Sequence, residues 1–115
     1  MNLANNMEGV FLNHQEIINI KILCYRDPVC YSVWRIVRQV INHLSPQFSE
    51  VEFKIDMIRD SAQIAKYTHN LVLPSLVINE KLVCSGHIPS QQDVLAWLQV
   101  VLAERGFQPA GTRER

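Results

Sequence analysis

The chain has 115 residues, 48% of them hydrophobic, and its eleven Lys+Arg balance eleven Asp+Glu. That length and apolar content suit one domain around one core, and a zero net charge supplies no long-range positive field to gather nucleic acid or an anionic membrane surface. No apolar run approaches the roughly 20 residues that span a bilayer, so no membrane role is expected, and the partners are expected to be proteins or small molecules. The three cysteines are odd in number and irregularly spaced, unlike the framework of a disulfide-stapled secreted scaffold. With an opening that lacks the order of a secretory signal, the expected setting is the cytoplasm.

In chain order, residues 1–16 form an N-terminal extension, polar and Asn-rich over its first nine positions. A domain is expected over 17–104, and residues 105–115 read as a flexible tail because Gly, Pro and charge occur there without periodicity. Within the domain, IINIKILCY (17–25) is β-branched and apolar with little alternation, the pattern of a strand covered on both faces. Arg26-Asp27-Pro28-Val29-Cys30 breaks it, and Val33, Val37, Val40, Ile41 and Leu44 then recur at helical spacing up to Ser45-Pro46. VEFKIDM (51–57) predicts a second strand, and Asp60-Ser61 caps a short helix carrying Ile64 and Tyr67. SLVIN (75–79) and KLVCS (81–85) predict a hairpin turning near Asn79-Glu80. Ser90 with Asp93 makes a capping box, and Val94, Leu95, Leu98, Val101 and Leu102 form the apolar stripe of a last helix.

The order is therefore β-α-β-α-β-β-α. Its first two strands should be parallel and its last two antiparallel, giving a mixed α/β sheet of about four strands with helices on both faces.

Two stretches, KILCYRDPVCYSVWRIVRQV (21–40) and residues 54–98, carry a resemblance to the thioredoxin superfamily that covers roughly residues 17–103. In the first, a strand, an active-site loop and a helix follow one another, with Cys30 at the family's nucleophilic cysteine. In the second, Leu73-Pro74-Ser75-Leu76 falls where the family has its cis-proline, Asn79-Glu80-Lys81 where Asn-Gly-Lys is usual, and Gly86 where a glycine follows the last strand. The departures are chemical. Cys30-Tyr31-Ser32-Val33 stands in place of Cys-x-x-Cys, so the resolving cysteine is a valine. Cys24 and Glu52 occupy the positions of the buried aspartate and its accompanying lysine.

The resemblance implies a thioredoxin-like protein in which Cys30, at a helix N-terminus, is the candidate nucleophile, a position that favours the thiolate. Tyr31, Val33, Leu73 and Pro74 form the candidate groove for a protein substrate or partner, with the backbone of Leu73 pairing with an extended segment. Cys24 has two readings: a buried strand cysteine acting as a small hydrophobe, which is favoured because free cysteine is among the most buried residues, or a resolving thiol bonded to Cys30. Trp34 is expected in the core. Cys84 and His87 supply two ligands where a structural zinc needs four, so neither a metal nor a cofactor is expected.

Two functions follow from different classes. One is single-cysteine thiol–disulfide exchange at Cys30 with release by an external thiol such as glutathione. The other is a redox-inactive binding or assembly module using the groove around Tyr31, Val33 and Pro74.

Overall fold

The computed structural model describes residues 16–67 and 72–107. The elements are β1 (Glu16–Leu23), α1 (Asp27–Leu44), β2 (Val51–Ile58), α2 (Ser61–Ile64), β3 (Ser75–Ile78), β4 (Lys81–Ser85) and α3 (Gln91–Glu104), with a 3-10 turn at Ser45–Gln47. The strands form one sheet in the order β2-β1-β3-β4. β1 runs parallel to β2, and β3 runs antiparallel to both β1 and β4. This is the mixed four-stranded arrangement expected from the sequence. Among the described residues no helix is long and apolar enough to cross a membrane.

The sheet divides the apolar residues unequally. Ile18, Ile20 and Ile22 of β1, Leu76 and Ile78 of β3, and Val51 of β2 face the buried stripes of α1 and α3, forming the main core. On the opposite face, among the described residues, only the single turn of α2 packs down, and the small cluster of Leu23, Ile64 and Val77 closes one end of the sheet. β1 therefore departs from its expected burial on both faces. Side chains alternate across a strand, and with so short a helix on that side Ile17 stays 45% exposed.

Local chemistry fixes the boundaries. Asp60 accepts from the Gln63 N–H at the start of α2. At the start of α3, Ser90 and Asp93 exchange side-chain and backbone bonds in the expected capping box. At the hairpin, Asn79 and Glu80 both take positive φ, 50° and 68°, as a two-residue turn between twisted strands requires. Asn79 is tied back to β1, since its N–H donates to the Asn19 carbonyl and its Oδ1 accepts from the Asn19 N–H. Glu80 stands where glycine would be unstrained, and its carboxylate pairs with Lys21 Nζ at 2.9 Å. Lys21 also donates to the Tyr67 hydroxyl at 2.8 Å. That bond first, and Glu80 second, hold the ammonium pKa above its usual value.

The domain reaches slightly beyond its expected limits. Glu16 already belongs to β1 and forms an ion pair with Arg105. After α3, Gly106 at φ 85° donates to the Ala103 carbonyl and Phe107 to the Leu102 carbonyl, the paired bonds of a glycine-terminated helix. Phe107 packs against the core, so residues 105–107 are part of the domain and not of a flexible tail. The remainder of the expected tail, and residues 1–15 of the N-terminal extension, lie outside the described residues.

Candidate functional site

The end of β1 and the start of α1 meet at one edge of the sheet. Arg26 has extended backbone and offers no side-chain cap, and α1 opens on Asp27-Pro28, proline being tolerated in the first turn where an N–H would find no carbonyl acceptor within the helix. Asp27 forms an ion pair with Arg59 beyond β2. Cys30 comes three residues after the first helical position, and its N–H already donates to the Arg26 carbonyl at 2.9 Å. Its side chain turns inward with the buried stripe and is fully buried.

There Cys30 is joined to Cys24 in a disulfide with a Cα–Cα distance of 5.7 Å. Cys24 is 1% exposed, so it is buried as expected, but as a bonded half-cystine and not as a free small hydrophobe. The bond to Cys30, and not the free cysteine of the favoured sequence reading, is what the structure shows. Cys30 is therefore a buried half-cystine in this structure and not a free thiol at the helix end. The helix begins earlier than Cys30, its spare N–H groups are those of Asp27 and Val29, and the sulfur points into the sheet. In the four-residue frame Asp27-Pro28-Val29-Cys30, the exposed helix-end place belongs to Asp27 and the inward place to the cysteine.

Beside this edge lies the segment 72–74. Leu23 pairs with Ser75 at the end of the antiparallel register, so Cys24 and Pro74 each come one residue beyond the last pair. The Leu73–Pro74 peptide is cis. Several bonds hold the segment. The Val72 carbonyl accepts from Ser75 Oγ at 2.8 Å and from Ser85 Oγ at 3.0 Å, and the Pro74 carbonyl accepts from the Gly86 N–H at 2.9 Å. Among the described residues the N–H and C=O of Leu73 itself have no hydrogen-bond partner.

Of the other groove residues, Tyr31 is half exposed, and Leu73 and Pro74 are partly covered. Val33 is 1% exposed and lines no groove. Its position in the α1 stripe, in step with Val37 and Val40, commits it to the core. Trp34 is the reverse case. One residue on from Val33 is a turn of about 100° around the helix, which carries Trp34 off the stripe and leaves it 37% exposed instead of in the core. Tyr25 and Val72, which no sequence signal singled out, are 55% and 60% exposed on this edge. Apolar side chains flanking a proline turn and a strand end were the available clue.

Gly86 braces the segment from below. It has φ 90°, and a Cβ there would meet Val72 Cγ1 at 3.3 Å. Gly86→Ala should therefore cost about 1–2 kcal/mol through backbone strain and displacement of Val72. Urea unfolding measures this, and an unchanged midpoint would dismiss the brace.

Cys84 is the remaining cysteine, free and buried. Its Sγ lies 3.5 Å from both Nε2 and the carbonyl oxygen of His87. Burial first, and Asp93 second, raise its thiol pKa, the opposite of activation. The Cys84–His87 pair gains no third ligand, and no metal-holding group of three such side chains occurs among the described residues.

A family model described as a thioredoxin domain matches residues 18–99, which takes in the disulfide, the cis-proline segment, the hairpin and most of α3. No curated protein matches the chain. On the fold and on that match, covering well over half of its length, the chain belongs to the thioredoxin-domain family.

Proposed function

We propose that this domain is a thioredoxin-like protein-binding module whose Cys24–Cys30 bond holds the edge together and does not exchange with external disulfides. The supporting observation is the contrast across that edge. Both half-cystines are 0–1% exposed, while Tyr25, Tyr31 and Val72 are at least half exposed, and among the described residues the backbone of Leu73 has no hydrogen-bond partner. Thiol–disulfide exchange requires a sulfur that another sulfur can reach, and neither half-cystine meets that condition. An extended segment, by contrast, gains main-chain hydrogen bonds from an open backbone and specificity from side chains on either side of it. Aromatic side chains with little entropy to lose suit such a contact. The partner is thus an extended peptide segment with apolar side chains that lie against Tyr25, Tyr31 and Val72. Glutathione has no role in this reading.

Selection from a displayed random peptide library against the oxidised domain tests the proposal. Enriched peptides should be apolar, and Tyr31→Ala should weaken them by about tenfold or more, whereas Val100→Ser on the far surface of α3 should leave them unchanged. A parallel assay should show no glutathione-dependent turnover of a glutathionylated substrate. Binding indifferent to Tyr31→Ala, or turnover that disappears in Cys30→Ser, would overturn the reading.

A further inference from the structure

We propose that the open edge of β2 is a self-association surface on which a second copy of this chain adds its own β2 in antiparallel pairing. Among the described residues β2 has one strand neighbour, β1, and none of them pairs with its other side along the eight residues Val51–Ile58. A natural sheet blunts such an edge with proline, a bulge, a short strand or charged side chains, and of these β2 carries only the charges, confined to one face. The opposite edge is blunted by two of the others, since β4 has five residues and a register shift against β3. β2 contains neither proline nor glycine and pairs with β1 in uninterrupted register.

The side chains of β2 fit a copy of themselves. On the face towards α1, Phe53, Ile55 and Met57 pack against the core but remain only partly buried. Their β1 neighbours Ile18, Ile20 and Ile22 are fully buried. The difference is the missing strand on the outer side, and a second β2 would cover it. On the other face stand Glu52, Lys54 and Asp56, a negative–positive–negative row. Antiparallel pairing puts residues of one face directly opposite one another. Lys54 opposite Asp56 of the second copy, with Ile55 opposite Ile55, makes two symmetry-related ion pairs. Shifting by two residues the other way sets Lys54 opposite Glu52 with Phe53 opposite Phe53, again two pairs. Registers centred on Lys54, Glu52 or Asp56 set like charges opposite one another, so the charge row favours the two registers centred on Ile55 and Phe53.

A twofold axis midway between the two β2 strands makes the contact closed and self-complementary, joining two four-stranded sheets into one of eight. The zero formal net charge of the chain removes long-range repulsion between copies. The surface is separate from the Leu73–Pro74 edge, so one may fail without the other.

Charge reversal in two complementary variants tests this. Glu52→Lys with Asp56→Lys makes the row wholly positive, and Lys54→Glu makes it wholly negative. Light scattering with sedimentation should give twice the chain mass for the wild type at high micromolar concentration. Each variant alone should associate at least about tenfold more weakly, and an equimolar mixture of the two should regain the doubled mass. Circular dichroism identical to wild type verifies that both variants fold. A monomeric wild type, variants that still dimerise, or a mixture that stays monomeric would each overturn the proposal.

Discussion

Replacing Cys30 with serine should lower the stability of the oxidised protein by about 2 kcal/mol, roughly 10 °C in Tm. The size follows from the short loop, since Cys24 and Cys30 are six residues apart in sequence and closing so few residues removes only modest entropy from the unfolded chain. The effect is raised further by a serine hydroxyl introduced into a fully buried site. Because the two sulfurs act through one bond, the double substitution Cys24→Ser with Cys30→Ser should cost clearly less than twice the single one. Thiol counting gives an independent check. After equilibration with glutathione disulfide and denaturation without reductant, wild type should expose one thiol, Cys84, and Cys30→Ser should expose two. Three thiols in the wild type would mean that the bond does not form, and an exposed-nucleophile chemistry at Cys30 would have to be reconsidered.

The disulfide also shows where reading along the chain reaches its limit. Six residues of extended chain span about 20 Å, and nothing in Tyr25-Arg26-Asp27-Pro28-Val29 states how sharply the path reverses. The reversal, completed when α1 opens at Asp27, brings the two Cα atoms to 5.7 Å. A helix taken to open at Cys30 leaves Cys24 free, whereas a helix opening at Asp27 turns Cys30 inward onto Cys24. By contrast, the α1 stripe, the capping box at Ser90 and the hairpin at Asn79-Glu80 depend on spacings of a few residues, and each stands where the sequence puts it. Val33 lay within reach of the same logic. It shares the period of Val37 and Val40, and that period outweighs its place in a four-residue motif when the two imply different surroundings. The open Leu73 backbone depends on which neighbours arrive from β1 and β4, a long-range matter that local pattern does not encode.

The unequal covering of the sheet leads to the largest effect expected from a single substitution. Ile20→Ala should destabilise the domain by about 3 kcal/mol, within the range of buried aliphatic truncations. Ile20 is fully buried in the middle of β1, paired with Ile55 on one side and Ile78 on the other, beneath α1 and α3. A cavity there has packed neighbours on every side and little freedom to collapse. Against a total stability of about 5–15 kcal/mol for a domain of this kind, the loss is large enough to move the urea midpoint well clear of experimental scatter. Ile17, three residues earlier on the opposite face, is nearly half exposed, and Ile17→Ala should cost less than about 1 kcal/mol. The same chemical change in one strand thus separates the two faces of the sheet. Equal losses at Ile17 and Ile20 would mean that the α2 face is covered as thoroughly as the other, and the one-sided core described above would be wrong.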